Sequence, residues 1–143
     1  TPAVEKVVEA NILLSGLGFE SGGLASAHSI ANDLPFFHET HGFLHGEKVA
    51  FGIISQLCLE EDLDVAEIYR VVDFMIDVGL PVTFADLNMA GITRDRLIAF
   101  GEVAAKEGAL AHNHNFKVTA ESIAEAMIAA DALGRRRKEF KGR

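Results

Sequence analysis

The chain has no tryptophan, one tyrosine, one cysteine and three prolines among its 143 residues. A lone thiol, Cys58, excludes an internal disulfide, and its place in an apolar helical run marks it as a small buried hydrophobe. No run of about 18 apolar residues is there to span a bilayer. The start lacks the basic segment followed by an apolar stretch that a signal peptide carries, so we expect no membrane partner and a cytoplasmic location. Basic residues are scarce outside the last nine positions, which hold six of the thirteen. Residues 1–134 are left with seven basic and twenty acidic groups, a net of −13, which disfavours nucleic acid as a partner of the body. We expect the basic tail to complement a helix C-terminus and otherwise to be solvated. Also missing are repeats, low-complexity segments, a nucleophile elbow around residues 16–18, and any P-loop lysine beside the Gly22-Gly23 pair.

What is present is apolar and helical in period. About half of the residues are apolar (49%), and the length suits one domain, 1–143, with a real core. Thr1-Pro2 reads as a helix start, with Val4, Val7, Val8, Ile12 and Leu14 on one stripe that ends near Ser15-Gly16. A second helix, built of small residues, is expected from about residue 20 to 31, with Phe19 where the chain enters it. Residues 32–44 read as an ordered loop whose Phe36, Phe37 and Phe43 need burial. A helix apolar on most sides follows from Gly46 to about Glu60 and should lie centrally. Asp64 and Glu67 have capping-box spacing before a helix that Gly79 and Pro81 stop. Thr83 and Asp86 bracket a short helix, Thr93 opens another that Gly108 ends, and Thr119 opens the last. No stretch alternates as a strand does, so the fold class is an all-α bundle.

Four of the six histidines fall within residues 18–52. His28 lies in the small-residue helix and His45 at the mouth of the next, where the helix dipole disfavours an imidazolium. Neutral imidazoles from two rigid elements suit a divalent ion such as zinc. A lone histidine among small residues is more often a hydrogen-bonded core group, and spacing alone leaves the two readings level. His38, Glu39 and His41 line a cleft or hydrogen-bond across the surface, and Pro35 and Gly42 oppose one continuous helix through them. Glu47 and Lys48 read as dipole and ion-pair partners.

The run at residues 18–25 (GFESGGLA), Ala27-His28, and residues 45–52 (HGEKVAFG) resemble the glycerol dehydrogenases, within the iron-containing (group III) alcohol dehydrogenase superfamily. The likeness extends to residues 5–11 (EKVVEAN), 79–83 (GLPVT) and 129–134 (AADALG), and so to nearly the whole chain. It implies the helical C-terminal domain of dehydroquinate synthase-like, iron-containing alcohol dehydrogenases. It also implies a zinc ion held by His28, His45 and an upstream aspartate, and Phe19 bordering the substrate and nicotinamide pocket. NAD would sit mainly on an N-terminal domain that, like the aspartate, this sequence lacks. Implied partners are glycerol or a similar small polyol, the N-terminal half of the enzyme, and further copies of the chain in an oligomer. Implied function is one half of an NAD-dependent glycerol dehydrogenase, silent alone. A related alcohol or polyol dehydrogenase, a glycerol-phosphate dehydrogenase, a dehydroquinate-synthase-like lyase and a non-catalytic helical oligomerisation module are the alternatives. Relatives often have histidine where Ala31 or Asn32 stands here, and Asn32 favours the zinc-using branch. They commonly read His-Asn-Met-Pro where this chain has His112-Asn113-His114-Asn115.

Overall fold

The computed structural model describes residues 1–60 and 63–143. Within them lie six α-helices: α1 (Pro2–Ser21), α2 (Ser26–Asp33), α3 (His45–Leu59), α4 (Val65–Asp77), α5 (Arg94–Ala104) and α6 (Ala120–Phe140). Four short 3-10 turns join them, and no strand occurs among the described residues. The all-α expectation therefore holds.

The first two helices depart from the sequence reading. Gly16 does not end α1, which continues to Ser21. An interior glycine costs a helix only about 1 kcal/mol against alanine, and Gly16 meets no conformational demand that would turn the chain. The stop comes at Gly22-Gly23, where Gly23 adopts φ +72° and its N–H returns to the carbonyls of Gly18 and Phe19. The small-residue segment is thus split, and α2 begins only at Ser26. Thr1 supplies no side-chain cap. None of the residues of α1 is buried.

The core is formed where α3 packs on α2 and α6, and α6 packs on α5. Phe51, Ile54, Leu97, Phe100, Ile123 and Met127 are fully enclosed there. Thr93 caps α5 by accepting from the Arg96 N–H, and Thr119 and Ser122 cap α6 reciprocally at 3.1 and 2.9 Å. Asp64 caps α4 through the Ala66 N–H at 3.0 Å, while Glu67 turns to Arg70 and leaves the box half made. Phe37 is fully buried as expected, but Phe36 is half exposed. Cys58 is only half-buried, packed on the core edge, and burial pushes its thiol pKa up.

The basic tail stands at the C-terminus of α6 as expected, and Arg135, Arg136 and Arg143 are exposed, but its other three cations are tied down. Arg137 grips Asp73 with two hydrogen bonds (2.8 and 2.6 Å), Lys141 reaches Asp77 at 2.6 Å, and Lys138 pairs with Asp86. These contacts strap the end of α6 to α4 and to the turn at residues 82–87. Hydrogen bonding to Arg137 holds the Asp73 carboxyl below the usual carboxylate range. At Asp86 burial pushes upward, but Lys138, the Val82 N–H and Thr83 together outweigh it and the pKa ends lowered. A carboxyl depressed in the folded state contributes stability above its unfolded pKa, and that contribution is lost as pH falls through the folded value. We therefore expect stability to decline below about pH 4. Asp86→Asn should cost about 1 kcal/mol at pH 7, solvent screening included, and flatten that acid limb in urea titrations. An unchanged acid limb would show that Asp86 is not a source of it.

Candidate functional site

The short helix α2 is pinned on three sides. On α3, Gly52 lies so close to the Ala27 carbonyl that a Cβ there has no room, and Gln56 accepts from the Ala27 N–H at 2.8 Å. On α5, the Ala104 carbonyl accepts from the buried Ser29 hydroxyl at 2.6 Å. At its start, His114 meets the Ser26 hydroxyl at 2.9 Å, and Asn113 donates to the Leu24 carbonyl at 2.6 Å. The helix thereby holds His28 rigidly although it has only eight residues.

His45 is the first residue of α3, following Leu44 in an extended conformation. Glu47 returns to accept from the Leu44 N–H at 2.7 Å, so it serves the helix start. Lys48, expected as an ion-pair partner, is buried and makes no ion pair among the described residues. The rings of His28 and His45 face one another at a centroid distance of 5.8 Å, tilted by 48°. Two imidazoles on one tetrahedral divalent ion, each at about 2.1 Å, hold their centroids roughly 5–6 Å apart, a range that includes the separation of this pair. Burial first, and then the neighbouring His45, hold the His28 pKa below its ordinary value, which favours the neutral form that binds metal. Among the described residues no group of three or more histidine, cysteine or acidic side chains is placed to close a metal site.

The other candidates lie elsewhere. His38 and His41 contact each other edge to face at 4.8 Å, and the His41 ring bonds the Pro35 carbonyl at 2.8 Å, so these two brace the loop. Glu39 pairs with Arg96 on the surface. Phe19 sits inside α1, 67% exposed, and is neither a core aromatic nor part of a described cavity. A groove of about 840 Å³ lies by the C-terminal end of α3 between Glu60, His114, Phe116 and Lys117, and neither His28 nor His45 is among its described lining residues. Sequence reasoning missed the role of His114, which stacks on Phe116 at 4.5 Å while anchoring Ser26. Only the repeated His-Asn pattern signalled it, and Ser26 lies 88 positions away.

The helical array with paired imidazoles at the α2–α3 junction has the fold of the C-terminal helical domain of known dehydrogenases. No family model matches the chain. It is 47% identical to glycerol dehydrogenase of Thermotoga maritima over 140 residues, covering 98% of this chain and 38% of that protein. It is 45% identical to glycolaldehyde reductase of Halobacterium salinarum, covering 95% of this chain and 37% of that protein. The crystal structure of glycerol dehydrogenase from Schizosaccharomyces pombe superposes with a TM-score of 0.92 at 38% identity, over 99% of this chain and 36% of that one. The chain is homologous to the C-terminal, helical part of the glycerol dehydrogenases, and it spans little more than a third of their length.

Proposed function

We propose that residues 1–143 form the metal-binding half of an NAD-dependent glycerol dehydrogenase that oxidises glycerol to dihydroxyacetone. The observation that carries this reading is the pair of facing imidazoles, 5.8 Å apart, in a chain homologous along nearly its whole length to such enzymes. His28 and His45 are the residues that hold the ion, which we take to be zinc. When bound, zinc and NAD supply Lewis-acid activation of a polyol hydroxyl and a hydride acceptor. The work of this chain is positional. Pinning of α2 through Gln56, Ser29 and His114 fixes the direction from which the His28 ring approaches, and the first turn of α3 fixes that of His45. Burial first, and then His45, lower the His28 pKa and so favour its neutral ring. On this reading the remaining ligand and the nicotinamide site come from the part of the enzyme that precedes this stretch, and we expect the chain alone to be silent and to bind zinc weakly. A cytoplasmic location and a homo-oligomeric enzyme complete the reading; among the described residues no helix is long and apolar enough to cross a membrane.

The test joins the chain, at Thr1, to the preceding part of the T. maritima glycerol dehydrogenase and measures glycerol-dependent NADH formation with added zinc. We expect activity in the fusion and none in the chain alone. His28→Ala and His45→Ala should each lower it by more than about 100-fold, since even outer-sphere changes at metal sites cost 10–100-fold. Full activity in the His45→Ala fusion would sink the assignment. The likeness to glycolaldehyde reductase favours a second reading, a related dehydrogenase acting on another small hydroxy compound. Profiling the fusion with glycerol, glycolaldehyde and short diols separates the two.

A further inference from the structure

Helix α1 is the least satisfied element of the molecule. Over its 20 residues it leaves Val4, Val7, Ile12, Leu13, Leu14, Leu17 and Phe19 each more than half exposed, with Val8 half exposed beside them. At about 100° per residue these side chains sweep roughly two thirds of the circumference, leaving a narrow polar sector of Glu5, Glu9 and Glu20, with Lys6 just beyond its edge between Leu13 and Leu17. A helix meant for one partner face shows a stripe only about half as wide, whereas one apolar on most sides is enclosed by several elements. We propose that α1 is the docking element for the part of a glycerol dehydrogenase that precedes this stretch, and that this part surrounds it on more than one side. The inference rests on the reading above, because it names the partner that completes the site.

Two observations favour this occupant over a second copy of the chain. A two-fold contact between copies covers one face of α1 and leaves the rest of its apolar arc in water. The S. pombe crystal structure, moreover, holds 99% of this chain's course at a TM-score of 0.92 while 64% of its own chain lies outside the match. The position of α1 against α2–α6 is therefore the one it holds where the remaining polypeptide is present.

Hydrogen exchange of α1 in the chain alone and in the T. maritima fusion tests this. We expect α1 amides to exchange freely in the lone chain and to slow by more than about 100-fold in the fusion. Ile12→Glu should leave the melting temperature of the lone chain unchanged and lower that of the fusion by about 5 °C or more. Equal exchange in both proteins overturns the proposal. So does a lone chain that sediments as a dimer broken by Ile12→Glu, a result obtainable even if the fusion does not fold. Protection of α1 in a fusion that oxidises no polyol would uphold the docking and reject the activity.

Discussion

Gly52→Ala is expected to cost the fold about 3 kcal/mol and to separate the two imidazoles that the proposed metal needs together. A methyl group at Gly52 meets the backbone of Ala27, its carbonyl oxygen closest, with the carbonyl carbon at 3.1 Å and Cα at 3.3 Å. Backbone cannot step aside as the tip of a flexible side chain does. Helix α2 cannot simply back away either, because Ser29 is tied to the Ala104 carbonyl of α5 and Ser26 to His114. Either the Gln56 bond to the Ala27 N–H breaks and α2 lifts, carrying His28 away from His45, or the core against α5 is compressed. Both routes raise the free energy, and the first also destroys the 5.8 Å ring spacing. Urea midpoints give the stability change, and calorimetric zinc titration of the fusion gives the effect on the site. Gly46→Ala is the control on the same helix, since open space surrounds Gly46 and alanine is the better helix former. If the two variants prove equally stable, the close approach of α2 and α3 is not the constraint described.

The caps and the bundle were legible because their signals are local. Thr93 and Thr119 announce α5 and α6 within three residues, and His45 stands at a helix start that Leu44 and Glu47 define together. What escaped depends on a choice between neighbouring stop signals or on distant partners. The Gly22-Gly23 turn competes with Gly16 as the end of α1, and only Gly23 takes the left-handed backbone that a stop requires. The ties between His114 and Ser26 and between Arg137 and Asp73 join positions 88 and 64 apart. The tail nevertheless left a trace that could have been read. Asp73 and Asp77 lie four apart on α4, as do Arg137 of α6 and Lys141 at its C-cap, and two matched rows of opposite charge at helical spacing predict a strap. For the site, spacing placed His28 and His45 on two elements, and the family resemblance singled them out from His38 and His41. The geometry adds the distance between them and the bracing role of the other pair.

Phe37→Ala should be the most damaging change outside the helix contacts, costing about 4 kcal/mol. The ring is wholly buried, with Phe36 edge-on at 5.2 Å, Phe100 of α5 at 5.0 Å, and the Arg96 guanidinium 5.4 Å from its centre. Its effect reaches the candidate site through the chain. Residues 34–44 are the connection from α2, which carries His28, to α3, which begins with His45, and Phe37 is its fully buried aromatic anchor. The buried Thr40 hydroxyl, bonded to the Leu34 and Phe37 carbonyls at 2.8 and 3.0 Å, holds the two short turns together around that ring. Removing the ring opens a cavity beneath both turns and frees the first residues of α3. The expected results are a lowered urea midpoint, faster hydrogen exchange across residues 34–44, and weaker zinc binding in the fusion although neither histidine is touched. Phe37→Leu fills much of the space and should cost less than about half as much. Were Phe37→Ala to lose stability while exchange in 34–44 and zinc affinity stayed unchanged, the loop would be a passive connection and His45 would be positioned by α3 alone.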